Sequence, residues 1–178
     1  MALSSYYAAL GLRGFLPFII RNRPSVSMPR VQAFLEALHK SEEGKLPIGA
    51  AGFCWGGLHV LKLAGGMSTL DGIPLVDVVF TAHPSNIDIP EDVKNVRKPT
   101  SLAIGDKDFM LPPVKVEQIR ELWKNLPGVE TEIKVYPGAG HGFSVRGDPL
   151  NDKQVEQSVE AEIQAVEWFQ KHFSSLIK

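Results

Sequence analysis

The sequence predicts an α/β fold, a three-layer sandwich in which helices cover both faces of a mostly parallel sheet. Three observations carry that expectation. Short apolar runs alternate with segments of helical periodicity, the pattern of strand–helix units. Most of those runs are continuously apolar rather than alternating, as strands buried on both faces require. No repeat, low-complexity tract or linker divides the 178 residues, so the chain reads as one domain with enough length to bury a core.

The elements follow in order. Residues 8–20 form an apolar start, interrupted by Arg13 and Pro17 and too short to span a membrane as a helix. With no charged segment before it and no small-residue cleavage site after it, it is expected to pack on its own domain or over a pocket. Residues 21–26 are a polar, proline-containing connection, so residues 1–27 are set apart from the core, 28–178. Ser27 is expected to cap the first core helix, with Pro29 just inside it and Val31, Phe34, Leu35 and Leu38 on one face.

Residues 47–53 (PIGAAGF) read as a buried strand and 55–64 as its helix. Residues 75–82 (LVDVVFTA) and 100–104 supply two more buried strands. Pro113 opens a helix carrying Val116, Ile119, Leu122 and Trp123, stopped by Pro127-Gly128. Residues 129–136 alternate apolar and polar side chains, as a strand near a sheet edge does. The last helix starts near Asn151 and is expected to bury Val155, Val159, Ile163, Val166 and Phe169.

Charge and cysteine content narrow the function classes. A net charge of −1 gives no general field for nucleic acid or anionic membrane, and neither is expected as a partner. The single cysteine excludes an internal disulfide and a multi-cysteine zinc site, and no metal or organic cofactor is expected. A reducing compartment, the cytoplasm, is the expected location.

Three short motifs carry chemistry. Gly52-Phe53-Cys54-Trp55-Gly56-Gly57 lies between a predicted strand and a predicted helix, the setting of a nucleophile elbow. Small neighbours give a strained turn its room, a role expected of Gly52 and Gly56. The turn would present Cys54 at a helix N-terminus that favours a thiolate, with the Trp55 amide as an oxyanion donor. The alternative is that Cys54 is merely a small buried hydrophobe. His141, in Gly138-Ala139-Gly140-His141-Gly142-Phe143, follows the last strand and is placed to act as general base. The loop 105–112 (GDKDFMLP) offers two carboxylates, Asp106 and Asp108, to orient that histidine, and spacing alone does not separate them. His83 in Ala82-His83-Pro84-Ser85 sits at a strand end that lines the crevice of such sheets; it either touches substrate or fixes the loop before Pro84. Phe143 and Trp55 either wall a pocket or belong to the core. His39, His59 and His172 fall on helical patterns and read as structural or solvated.

These motifs, in this order, resemble the dienelactone hydrolase (carboxymethylenebutenolidase) family, and the chain looks like the C-terminal two-thirds of a member. The resemblance implies an α/β-hydrolase-type sandwich lacking its N-terminal strands, and a Cys54–His141–Asp108 triad. In the family the acid stands four residues before the loop proline, which selects Asp108 and leaves Asp106 as a surface or capping residue. It implies hydrolysis of a small-molecule ester or lactone through an acyl-cysteine. The family's early strands also supply a second oxyanion amide, an activating glutamate and part of the pocket, none of which has a counterpart here. Two readings follow. A second copy or another chain covers the open sheet edge, or the chain is a shortened, impaired or non-catalytic hydrolase-like binding protein.

Overall fold

The computed structural model describes residues 13, 16–41, 45–69 and 71–177. Helices α1 (Pro24–His39), α2 (Trp55–Ala64), α3 (Glu91–Lys94), α4 (Pro113–Lys124), α5 (Phe143–Arg146) and α6 (Asp152–Leu176) alternate with strands β1 (Gly49–Phe53), β2 (Val78–Ala82), β3 (Thr100–Lys107) and β4 (Thr131–Gly140). The strands form one parallel sheet in the order β1-β2-β3-β4.

The pleat divides the core. Val79, Leu102 and Ile104 point to the face covered by α1, α2 and α4, where they meet Leu35, Leu61, Ile119 and Trp123. Phe80, Ala82, Ala103 and Tyr136 point to the other face, against Phe143 and Ala161 of α5 and α6. This is the period of two expected of strands, and it yields the three layers. The central strand β2 is buried at every residue. Among the described residues, no strand pairs with the outer edge of β1, and none precedes it.

Three local expectations are corrected. First, α1 begins at Pro24, one turn before the expected start, with Arg23 at the N-cap. Two prolines can each open a helix here, and the first does so. Ser27 is therefore no cap; it is buried inside α1, where its hydroxyl lies 2.6 Å from His59 Nε2. Phe34 stays largely exposed while Leu35 is buried.

Second, α6 is rolled relative to its predicted face. Val155, Val159, Ile163 and Val166 are 42–48% exposed, whereas Gln157, Ala161, Gln164, Trp168 and His172 turn inward. Phe169 is half-buried. The inward glutamines are satisfied: Gln164 accepts from Tyr136 Oη (2.8 Å) and donates to Glu132 Oε1 (2.7 Å), and Gln157 donates to the Pro137 carbonyl (2.9 Å). A buried amide with its hydrogen bonds made is no obstacle to an inward face.

Third, the apolar start falls mostly outside the described residues. Its described end, 16–21, is helical and leaves Leu16, Phe18, Ile19 and Ile20 exposed, with the Phe18 ring edge-on to Trp55 at 5.6 Å. Among the described residues, no helix is long and apolar enough to cross a membrane.

Candidate active site

The site is assembled at the carboxyl ends of the parallel strands. β1 runs into α2 with a single residue between them, and that residue, Cys54, has φ 50° and ψ −116°. A non-glycine residue there is strained, and the strain is held by neighbours. The Cys54 amide donates to Ala82 O (3.3 Å), and its carbonyl accepts from Gly57 N (3.0 Å) and Ser85 N (2.9 Å). The tight spots are Gly52, where a Cβ would lie 2.5 Å from Gly56 O, and Gly57, where it would lie 2.5 Å from Pro84 Cβ. Gly56 was expected to supply the room but faces open space, with nothing within 4 Å; the crowding comes from Pro84, which Gly57 meets. Trp55 is the first residue of α2, so its amide is one of those a helix leaves without an intrahelical acceptor.

The structure brings Cys54, His83 and His141 together: a side-chain ligand atom of each lies within 4.8 Å of the other two. Of the two histidines, the one hydrogen-bonded to the sulfur is His83, through Nδ1 at 3.2 Å. The far nitrogen of that ring, Nε2, lies 2.7 Å from Ser144 Oγ. His141 turns its Nδ1 to Asp108, 2.9 Å from Oδ2 and 3.1 Å from Oδ1, and its Nε2 is 3.2 Å from Ser85 Oγ. The Asp108 side chain is fully buried, and its Oδ1 also accepts from the amides of Met110 (2.8 Å) and Leu111 (3.2 Å). Of the two loop carboxylates, then, Asp108 faces the imidazole. Asp106 accepts instead from Gly138 N at 2.7 Å and ties down the turn before His141. Glycine at 105 lets the ends of β3 and β4 approach, since a Cβ there would fall 2.1 Å from Ala139 O.

His83 takes φ 39° and is fully enclosed. Phe143 is likewise buried, its ring 5.6 Å from His83 and 4.7 Å from Tyr136. His83 thus lies beside the sulfur, and Phe143, the first residue of α5, packs its ring against that imidazole. His59 packs under Trp55, with Nδ1 3.1 Å from the Trp55 carbonyl, and His39 bonds the Leu75 carbonyl at 3.2 Å.

Arg146 went unnoticed in the sequence. Its Nη2 donates to the Cys54 sulfur at 3.1 Å. The signal was available: a cation five residues past the histidine, across one turn of a short helix, comes back toward the same loop. Charges set the titration of the pocket. Burial raises the Cys54 thiol above its ordinary value; the Arg146 charge opposes that and the Asp108 charge adds to it. Burial pushes His83 down to about 4, with the His141 and Arg146 charges acting in the same direction against Asp108, so at neutral pH its ring is uncharged.

Such a constellation offers a thiol, a carboxylate-oriented imidazole and a free helix amide around one point, the components of acyl transfer. Hydrolase tropI of Talaromyces stipitatus is 35% identical over 152 residues, covering 84% of this chain and 55% of that protein. The carboxymethylenebutenolidase homolog of Homo sapiens is 28% identical over 130 residues, 70% of this chain and 49% of its own length. The chain spans about half the length of these relatives. Among solved structures, a dienelactone hydrolase from Anabaena variabilis shares the fold with a TM-score of 0.60 at 18% identity, over 84% of this chain and 61% of that one. The family match extends over residues 19–173, through the elbow, the acid loop and the histidine loop, and the chain belongs to the dienelactone hydrolase family.

Proposed function

We propose that this chain hydrolyses a small-molecule carboxylic ester or lactone through an acyl-cysteine on Cys54. One observation carries the reading: His141 is held by the buried Asp108 carboxylate at 2.9 Å while its ring also lies within 4.8 Å of the Cys54 sulfur.

In this mechanism the Cys54 side chain turns from His83 toward His141, whose Nε2 takes the thiol proton. Sulfur attacks the carbonyl carbon, and the Trp55 amide donates to the tetrahedral oxyanion. The C–O bond breaks and the leaving alkoxide takes the proton from His141; in a lactone that alkoxide stays tethered to the acyl chain. A water deprotonated by His141 then attacks the thioester, releasing the acid and the sulfur. Asp108 fixes the tautomer and stabilises the imidazolium throughout. These side chains suffice for every step, without a cofactor. The resemblance assigns a second oxyanion amide to strands that have no counterpart among the described residues, and one such donor is worth on the order of a hundred- to a thousandfold in turnover.

The test is hydrolysis of 4-nitrophenyl acetate by the wild type and by Cys54→Ala and His141→Ala, with mass spectrometry of quenched protein. An acetyl adduct on Cys54 and loss of turnover in both variants are expected. Wild-type activity in Cys54→Ala overturns the assignment.

A second reading has its own observation. The outer edge of β1 is unpaired among the described residues, and Phe53, Val145 and Val166 beside it are 38%, 50% and 47% exposed. A second copy seated there makes the chain a dimer; light scattering that returns a monomer removes this reading. A nucleophilic thiol also suits a reducing compartment such as the cytoplasm, which cell fractionation tests.

A further inference from the structure

The sulfur and the two imidazoles beside it have a property that acyl transfer does not use. Cysteine sulfur and two imidazole nitrogens are the donor set of a thiophilic divalent cation, and here they converge within 4.8 Å of one another. Around a tetrahedral zinc, with Zn–S about 2.3 Å and Zn–N about 2.0–2.1 Å, neighbouring ligand atoms stand roughly 3.3–3.6 Å apart. The Cys54–His83 separation of 3.2 Å is already close to that spacing. The other pairs need a contraction that rotation of Cys54 and His141 can provide.

The outer contacts strengthen the case. A ligating histidine is oriented by whatever accepts its second N–H, commonly a carboxylate or another oxygen. His141 presents Nδ1 to the buried Asp108 carboxylate, which leaves Nε2 for a cation. His83 presents Nε2 to Ser144 Oγ at 2.7 Å, which leaves Nδ1. With Nδ1 of His83 unprotonated its lone pair faces the sulfur at 3.2 Å, while Nε2 of His141 lies 3.2 Å from Ser85 Oγ, a contact that the cation would replace. A metal whose charge met only a neutral thiol would be held poorly; here the Sγ proton leaves to solvent and the thiolate binds, with Asp108 as a second anion behind His141. The opposing feature is Arg146, whose guanidinium lies 3.1 Å from the sulfur and must swing away. It is exposed and free to do so.

We propose that Cys54, His83 and His141 bind a divalent cation of the zinc class, with the fourth position left to solvent, and that bound metal silences the hydrolase by occupying nucleophile and base together. The silencing rests on the hydrolase reading; the binding does not.

Cobalt(II) is the probe, titrated into the metal-free full chain and followed by absorption. The expected result is one equivalent bound with tetrahedral d–d bands and a thiolate-to-cobalt charge-transfer band, displaced by zinc. Cys54→Ser loses that band. His83→Ala weakens binding at least tenfold, and Ser144→Ala, which removes only the outer contact, weakens it about tenfold. Arg146→Gln, lacking the competing charge, binds several-fold tighter. No charge-transfer band, or cobalt affinity unchanged in both His83→Ala and Ser144→Ala, overturns the site, the latter by showing that His83 is not a ligand. Zinc inhibition of ester hydrolysis is read separately. Cobalt binding in a chain without turnover sinks the hydrolase reading and leaves the site; turnover that persists at saturating zinc sinks the silencing.

Discussion

The Cys54 sulfur rests 3.2 Å from His83 Nδ1, and the histidine it touches is not the one that Asp108 holds. In the resting arrangement the thiol is thus shared between an uncharged buried imidazole and a guanidinium, with His141 standing by. Burial raises the thiol, Arg146 lowers it and Asp108 raises it, and the two charges can be removed one at a time.

Alkylation of Cys54 by iodoacetamide reads that balance directly, because only the thiolate reacts. The rate in the wild type is expected to rise with pH through a midpoint above that of an ordinary thiol. Arg146→Gln removes a cause that lowers the value, so its midpoint moves up and its rate at neutral pH falls. Asp108→Asn removes a cause that raises it, so its midpoint moves down. Opposite displacements in the two variants are required; a shared direction contradicts the geometry at Cys54.

Asp108→Asn also tests the orientation of His141. The amide is isosteric, so the contact to Nδ1 survives, but the tautomer and the imidazolium lose their support. Turnover of 4-nitrophenyl acetate is expected to fall about a thousandfold or more, while thermal unfolding changes little. Equal turnover in wild type and variant means that another group orients the imidazole.

The two glycines after Trp55 are expected to respond differently. A Cβ on Gly57 would sit 2.5 Å from Pro84 Cβ and 2.7 Å from Thr81 Oγ1, whereas one on Gly56 meets nothing within 4 Å. Gly57→Ala is expected to lose about 1–3 kcal/mol of stability by overpacking. Gly56→Ala, inside a helix and in open space, is expected to be neutral or slightly stabilising. Urea denaturation of the two variants side by side decides it.

The strand-to-helix bend at Cys54 was legible because strand, lone cysteine, glycines and helix are adjacent in sequence, so local rules suffice. The choice between Asp106 and Asp108 was not legible from spacing and came only from the family resemblance, since both lie in one loop and the packing of β3 against β4 decides which reaches His141. Arg146 escaped notice because its contact with Cys54 joins residues 92 apart. The face of α6 was misread for a different reason. Its valines outline an apolar stripe by period, but the sheet offers hydrogen bonds to Gln157 and Gln164, and a period count carries no information about the acceptors waiting on the other side.

That last point yields a quantitative expectation at Gln164. Its side chain accepts from Tyr136 Oη and donates to Ser101 Oγ (2.9 Å) and Glu132 Oε1 (2.7 Å), so one amide serves three groups between β3, β4 and α6. Gln164→Leu keeps the volume and adds apolar surface, which a simple burial argument would score as stabilising. It also strips a partner from the fully buried Tyr136, at about 1–3 kcal/mol for a buried polar group left unpaired. The expected result is a net loss of that order in urea denaturation, whereas Val159→Thr on the exposed side of the same helix changes stability by no more than about 0.5 kcal/mol. Restoring the lost stability by adding Tyr136→Phe to Gln164→Leu would trace the effect to the orphaned hydroxyl. If the double variant is no more stable than the single one, the hydrogen bond at Gln164 is not what turns α6 inward.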